Sequence, residues 1–501
     1  MSYKIGFAGT DGRTFLSALV TSTATSELHP EEFRGVVIRG MPAMPPFAKL
    51  MKWPLDFIST TDNSKEGYAA AIAEALENGS IDCVLPMPED LLLAGLVDEL
   101  DKAGFPDSII GFTREGAFVE GDKIACKRLC REYDIPVADE WFEADARDYD
   151  AVLRICLELL DRFGGVVLKY PYSAGGKGAR IILNSWEVKE VYDTLMTDYA
   201  KNYKNLFGKK SEWPLLIESR MSGVEISFAA LVDKNGNFQI LPTAMDYPER
   251  FPGTASKDNP ITGGMGSISP HPMETPGLFE MAAKNVFEPF ISALKAKNIL
   301  RPCFLYPGCF LSFDNNMLPT RIRMCEMNIR PPEPEFQPII RRVRNLGALI
   351  KATIQGNLDK VEPEVRMDQI SITIALVTGP GGPQGQKGYP WSCTKSETVE
   401  IDFGYLKKKK IQVIPSAMTF SDEEKVFKSD GTRVLYCNVN AAVKPGERRA
   451  AVAERLRQKI LAAFANGKIR VIPRENSEGN RLNFRNDIGM HYEIAEKLLS
   501  K

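Results

Sequence analysis

The sequence predicts an α/β protein of more than one domain, and three observations carry that reading. At 501 residues the chain exceeds what one ordinary hydrophobic core organises, and suggests about three domains. Its first hundred or so residues alternate short apolar runs with amphipathic stretches, the pattern of a parallel sheet with helices on both faces. The last part alternates strand-like runs (Gln369–Val377, Thr398–Ile401, Lys410–Ile414, Leu435–Ala441) with one long amphipathic helix, Pro445–Phe464.

In the amino-terminal part, Tyr3–Ala8 reads as a strand, Gly9-Thr10-Asp11-Gly12-Arg13 as a turn and Phe15–Thr21 as a helix. Backbone N–H groups at such a helix start favour an anion, and Arg13 adds a charge. Strands follow at Gly35–Arg39, Asp82–Leu85 and Ser108–Phe112, with helices at Lys65–Asn78 and Leu91–Ala103. Gly121–Tyr133 reads as a helix carrying Lys123 and Lys127 on one side, and Tyr149–Phe163 as a second helix.

Gly165–Lys169 is a strand that delivers a lysine, and Ala179–Leu183 a returning strand. The loop between them holds Gly175, Gly176, Lys177 and Gly178. Missing β-carbons let backbone donors approach a polyphosphate, and Lys169 and Lys177 neutralise it. The Gly-Lys-Ser/Thr ending of a Walker loop is absent. Leu215–Ile217 is a strand ending at Glu218, and Val224–Val232 one carrying Glu225, placed to meet an adenine edge and ribose hydroxyls respectively. Met245–Ser269 reads as a long loop, Pro276–Lys297 as a helix, Pro302–Ser312 as a strand and Arg341–Gln355 as a helix.

The most informative stretch is Arg321–Gln337, RIRMCEMNIRPPEPEFQ. Read as a strand over Arg321–Arg330, it projects Glu326, Asn328 and Arg330 to one face, with Ile322 and Met324 further back on it. A carboxylate beside an amide oxygen suits Mg²⁺, which keeps waters and takes phosphates for its other positions. Arg330 is placed to fork onto a carboxylate or phosphoryl oxygen.

Composition sets bounds on partners. Apolar content of 44%, charged content of 26% and a net charge of −2 favour neither nucleic acid nor an anionic membrane. The nine cysteines are odd in number, form no CxxC pair and are expected as reduced thiols in a cytoplasmic protein. The amino terminus is not read as a signal peptide, and no run of about 20 apolar residues predicts a membrane span.

Taken in order, these segments resemble the glycinamide ribonucleotide synthetase (phosphoribosylamine–glycine ligase) family of the ATP-grasp superfamily. The resemblance rests on Asp122-Lys123 with Lys127, Leu168-Lys169, Ala174–Gly178, Ile217-Glu218 and Gly223–Ser227. It continues through Thr262–Gly266, Glu326–Arg330, Pro334-Glu335, Gln337 and Phe484–Gly489. It implies an amino-terminal pre-ATP-grasp domain (1–118), a two-lobed ATP-grasp domain (119–355, with a mobile lid about 134–220) and a small mixed α/β domain (356–501).

It further implies ATP held by Lys123, Lys169, Gly175, Gly176, Lys177, Gly178, Glu218 and Glu225, and a metal (Mg²⁺, with Mn²⁺ as a substitute) on Glu326 and Asn328. Substrates, an amino acid and a phosphorylated amine, would meet Gly12, Arg13, Glu89, Asp246, Thr262, Gly263, Gly264, Met265, Arg330 and Glu335. Arg330 and Lys177 would serve the transferring phosphoryl group and the tetrahedral oxyanion. A monomer or homodimer is expected.

Some motifs depart from the family pattern. Gly12-Arg13 is followed by Thr14-Phe15 instead of Glu-His, and Asp-His-Lys-Arg becomes Asp246-Tyr247-Pro248-Glu249-Arg250. Phe-Gly-Asp-Pro-Glu-Thr-Gln becomes Pro331–Gln337, and Ile261 replaces an Asn. Three readings follow: the glycine ligase itself, a diverged ATP-grasp ligase for another amine or amino acid, and a nucleotide-binding paralogue without turnover.

Overall fold

A computed structural model describes residues 2–24, 26, 28–29, 31–172, 178–202, 212–256, 258–315, 318–378, 388–391, 393, 395–472 and 482–499. The first sheet is parallel, in the order β3-β2-β1-β4, from β1 (Tyr3–Gly9), β2 (Phe33–Arg39), β3 (Asp56–Ile58) and β4 (Cys83–Pro86). Its alternation fills two cores. Ile5 and Phe7 pack with Phe15 and Leu16 of α1 (Gly12–Thr23), whereas Ala8, Val36 and Val84 pack with Tyr68 and Ile72 of the helix Lys65–Glu77. Both faces are therefore covered, as a parallel sheet requires.

Three expectations in this part need correction. Residues 108–112 form no strand, only the single bridge Val84↔Ile109, because the Gly111 N–H turns away to the Pro302 carbonyl at 2.8 Å. The expected helix Leu91–Ala103 is two, Glu89–Ala94 and Leu96–Lys102, broken where Gly95 takes φ +94°, a left-handed conformation open to glycine. The helix expected over Gly121–Tyr133 is a short turn, Phe118–Gly121, and then α2 (Lys123–Glu132), whose first N–H groups are capped by Asp122.

After α2 comes an antiparallel four-stranded lobe, β5 (Trp141–Asp145), β6 (Val166–Lys169), β7 (Ala179–Ile182) and β8 (Pro214–Ser219), ordered β5-β8-β6-β7. The helices Tyr149–Phe163 and Val188–Asn202 accompany it, and it has its own core around Leu159, Leu168, Leu195 and Ile217.

The expected strand Val224–Val232 is split into β9 (Val224–Ser227) and β10 (Ala230–Val232). They pair with different parts of one later strand, Cys303–Phe313, on either side of Pro307, which has no N–H to give the ladder. The segment expected as a loop holds β11 (Met245–Asp246) and β12 (Gly266–Ser269). These pair with each other, and β12 pairs in turn with the carboxyl-terminal strand Gln369–Thr378, so that sheet takes two strands from the middle of the chain. Next come β13 (Cys303–Phe313) and β14 (Pro319–Asn328), paired antiparallel. The helix expected from Arg341 begins at Leu346 and is preceded by a short one, Phe336–Ile340.

The carboxyl-terminal part adds β15 (Gln369–Thr378), β16 (Lys395–Ile401), β17 (Gln412–Pro415), the hairpin β18 (Met418–Ser421) and β19 (Val426–Asp430), then β20 (Arg433–Ala442) and the helix Arg449–Ala465. An aromatic cluster joins the two ends of the chain. Phe47 lies 6.3 Å from Phe15, 5.0 Å from Phe403 and 5.4 Å from Phe427, and Trp53 lies 5.6 Å from Phe15. All nine cysteines are free thiols, and no helix of the described residues is long and apolar enough to cross a membrane.

Candidate functional site

The polar end of β14 is shaped by a bulge. In its ladder with β13, Cys309 faces Met324 while Gly308 faces Glu326, leaving Cys325 as an extra residue. The bulge resets the alternation of side chains. Ile322 and Met324 before it, and Met327 and Ile329 after it, all lie in the same apolar core. Glu326 and Asn328 therefore share the opposite face, and Ile322 and Met324 do not stand behind them. That part of the expectation is corrected by one inserted residue.

Asn328 lies with Nδ2 3.5 Å from Glu326 Oε1 and donates to the Tyr306 carbonyl at 3.2 Å. Lys123 Nζ, from the first turn of α2, is 3.7 Å from Glu326 Oε2. Burial works against a charged Glu326, but Lys123 and then Lys169 outweigh it and hold the carboxyl below its usual range. An ionised carboxylate beside an amide fits a hard divalent cation that fills its other positions with water and phosphate.

The lobe strands β6 and β8 bring further charges to the same recess, which Glu120, Lys123, Lys127, Lys169, Cys325 and Glu326 line together. Lys169 Nζ is 2.5 Å from Glu218 Oε2 and 3.4 Å from Cys325 Sγ. Lys127 Nζ is 2.8 Å from Glu218 Oε1. Burial disfavours a charged Glu218, yet Lys127 and Lys169 overcome it and lower its carboxyl to about 2. Glu218 thus sets two lysines in place. Glu225 on β9 faces solvent; packing of the cleft walls and then Glu326, Glu249 and Glu335 push its carboxyl up to about 7, a shift the surrounding water tempers. Lys177, Gly175 and Gly176 lie outside the described residues, and Gly178 follows them, its carbonyl accepting from Tyr170 N.

Arg330 lies just beyond β14 and is held by carboxylates from two other elements. Its Nε is 2.8 Å from Glu89 Oε2 and 3.4 Å from Glu120 Oε1, and Glu120 Oε2 also accepts from Ile329 N at 2.8 Å. Burial, only partly offset by Arg330, raises the Glu120 carboxyl to about 7.

Arg330 also feels the charge of Glu335, which in turn acts on Asp246. Tyr306 donates to Glu335 Oε1 at 2.7 Å, while Glu335 Oε2 and Asp246 Oδ1 are buried without a hydrogen-bond partner. Burial and then Glu335 push the Asp246 carboxyl well up. The turn Thr262–Met265 packs against Asp246, whose Oδ1 would lie 2.9 Å from a β-carbon on Gly264. Thr262 Oγ1 accepts from Gly264 N at 3.1 Å, and Met265 is fully buried. Gly264 has φ +95°, and a β-carbon there would stand 2.3 Å from Pro334 Cδ.

Arg13 does not face open solvent. It pairs with Asp11 at 2.8 Å, reaches the Pro331 carbonyl, and lies 3.9 Å from Glu333 Oε2. Gly12 packs on the ring of Tyr436, where a β-carbon would come within 2.8 Å. The altered residues after Asp246 are satisfied within the fold. The Tyr247 hydroxyl accepts from Gly489 N at 2.7 Å, and Glu249 pairs with Arg485 at 2.9 Å.

Four groups at the site were not singled out from sequence for it, Glu120, Tyr306, Glu333 and Arg433, and Lys127 was given no ligand of its own. Lys127 was within reach, four residues from Lys123 and on the same helix face. Arg433 had no local signal; from β20 it donates to the carbonyls of Gly263, of Gly264 (3.3 Å) and of Glu333 (3.4 Å).

Comparison with known proteins places this arrangement. The family profile described as "Phosphoribosylglycinamide synthetase, ATP-grasp (A) domain" matches residues 121–336. A phosphoribosylamine–glycine ligase of Caldanaerobacter subterraneus subsp. tengcongensis is 30% identical over 362 residues, 72% of this chain and 77% of that one. One of Agrobacterium fabrum is 31% identical over 366 residues, 72% and 74% of the two chains. Among solved structures, the Thermotoga maritima phosphoribosylamine–glycine ligase superimposes with TM-score 0.69 at 19% identity, covering 97% of this chain and all of that one. The biotin carboxylase domain of Hydrogenobacter thermophilus 2-oxoglutarate carboxylase, complexed with MgADP, reaches 0.59 at 16% identity, over 100% and 94%. With a relative 30% identical over three quarters of its own length, the ATP-grasp profile and the paired Glu326 and Asn328 opposite Lys169, this chain belongs to the phosphoribosylamine–glycine ligase family.

Proposed function

We propose that the protein is an ATP- and Mg²⁺-dependent ligase that joins the carboxylate of glycine to the amine of phosphoribosylamine, yielding glycinamide ribonucleotide, ADP and phosphate in purine synthesis. The observation that carries this is the recess that Glu326 lines together with Lys123 and Lys169, with Asn328 beside Glu326 at 3.5 Å and Arg330 near enough to act on its charge.

Mg²⁺ on Glu326 and Asn328 would neutralise the ATP phosphates. Lys169, set by Glu218, offsets charge on the transferring phosphoryl group, as Lys177 and the glycines at 175, 176 and 178 do from the loop. Lys123 and Glu225 complete the nucleotide site. Arg330 receives the amino-acid carboxylate, and Asp246 and Glu335, with their unpartnered oxygens, receive its ammonium. Thr262, Gly263, Gly264 and Met265 close the space around a small amino acid.

The carboxylate attacks the γ-phosphate to give an acyl phosphate and ADP; the amine then attacks the acyl carbon and expels phosphate. Gly12, Arg13 and Glu89 shape the amine side. On this reading residues 1–118 serve the amine, 119–355 hold the nucleotide with 134–220 as its lid, and 356–501 close the cleft. The enzyme works in the cytoplasm as a monomer or homodimer, and Mn²⁺ substitutes for Mg²⁺.

The test is ADP release by the purified chain with Mg-ATP and glycine, with and without phosphoribosylamine generated in situ. Release dependent on both supports the reading. Release with other amino acids but not glycine overturns the substrate, and nucleotide binding without any release overturns the ligase.

A further inference from the structure

We propose that Arg323 is a positioning residue for the nucleotide: it clamps both passages of the chain into the four-stranded lobe against the strand that bears Glu326 and Asn328. The inference rests on the nucleotide reading of that strand. The lobe, Trp141–Ser219, has its own core and connects to the remainder through two crossings that run side by side. Glu140 N donates to Ser219 Oγ at 3.1 Å, and Ser219 N donates back to the Glu140 carbonyl at 2.9 Å.

Arg323 reaches one residue in each crossing. Nη1 donates to Asp139 Oδ2 at 2.6 Å, and Nη2 donates to the Ser222 carbonyl at 2.9 Å. Its side chain is 5% exposed, so a guanidinium that lost these partners would be left buried without them, and their loss is felt. Arg321 takes the other Asp139 oxygen at 2.7 Å, and Met324 N donates to the Pro136 carbonyl at 2.7 Å. Three residues of β14 thus hold the root of the lobe.

The bulge gives this grip its meaning. In an unbroken strand, residues 323 and 326 point to opposite faces. With Cys325 inserted, Arg321 and Arg323 stand on the same face as Glu326 and Asn328, since Ile322, Met324, Met327 and Ile329 all fill the core behind. Clamp and metal pair are about 10 Å apart on one rigid element. The lobe so anchored delivers Lys169 and Glu218 to the recess, and the clamp therefore fixes the distance between the lysine and the metal pair. The two acceptors lie in different crossings, which a planar guanidinium spans and a single ammonium does not.

The experiment is a calorimetric titration of the intact chain with MgADP, for the parent, Arg323→Lys and Asp139→Asn. Asp139 is 31% exposed, so its near-isosteric change tests the clamp even where the buried arginine does not tolerate replacement. Each variant should bind MgADP at least fivefold more weakly, and the double variant no more weakly than Arg323→Lys alone. In turnover, KM for ATP should rise by a similar factor while KM for the amino acid stays within twofold. MgADP affinity within twofold of the parent in a folded variant, or equal rises in both KM values, would overturn the clamp. A parent that does not bind MgADP would overturn the nucleotide reading, and the clamp with it.

Discussion

Lys169 Nζ stands 2.5 Å from Glu218 Oε2 inside the protein, and the other oxygen of that carboxylate is taken by Lys127 at 2.8 Å. One buried anion between two buried cations is tolerated only as a set, because removing the anion leaves two uncompensated charges. Glu218→Gln should therefore lower stability by about 3–5 kcal/mol, read as a fall in denaturant midpoint, and Lys127→Met by less. The pH dependence has a definite sign. The folded carboxyl is depressed to about 2, so its contribution is complete above the unfolded value near 4.5 and is lost as pH falls toward 2. Acid unfolding in Lys127→Met should begin at a higher pH than in the parent; an unchanged acid midpoint would speak against the pairing.

Glu326→Ala should leave the fold intact, since the side chain is a third exposed, and lower kcat at least about 100-fold, or roughly 3 kcal/mol. Chelating Mg²⁺ should silence the parent equally, with activity restored by readdition. A variant that retains more than a tenth of the parent rate would remove the metal assignment.

Glu333 is pushed up to about 7, first by burial and then by Asp11, despite Arg13 and Arg433 nearby. A raised carboxyl binds its proton more tightly when folded, so stability falls as pH rises from about 4.5 to 7. Glu333→Gln removes this loss and keeps an oxygen for the Gln337 amide, now 2.7 Å from Glu333 Oε1. The variant should gain on the parent between pH 5 and pH 8 by up to about 3 kcal/mol, measured by urea unfolding at both values.

Gly264→Ala should cost about 1–3 kcal/mol, because φ is +95° and the new carbon would meet Pro334 at 2.3 Å. The strain falls on the turn beside Asp246, so the amino-acid KM should rise more than that for ATP. Wild-type melting and kinetics in this variant would mean that the turn is looser than its geometry.

The sequence made the polar end of β14 readable because Glu326 and Asn328 are two apart on a stretch free of Gly and Pro. It hid the bulge at Cys325, since register depends on which residue of β13 lies opposite, and nothing local reports it. Glu218 was visible as a carboxylate at a strand end, yet its two lysines lie 49 and 91 residues away in the chain and are joined to it only by packing. Residues 245–269 read as loop because their strands are two and four residues long and pair with a segment a hundred residues on. The parallel opening sheet was legible because its apolar runs fill cores on both faces.

The aromatic cluster around Phe47 bears on synthesis of the chain as well as on its folded form. Phe15, Phe47 and Trp53 leave the ribosome early, but the rings of Phe403 and Phe427 that cover them come only near the end. At ordinary elongation rates a sticky surface stays bare for on the order of half a minute. Nascent chains halted before residue 403 should recruit trigger-type holdases or clump, and separately expressed halves should be insoluble unless made together.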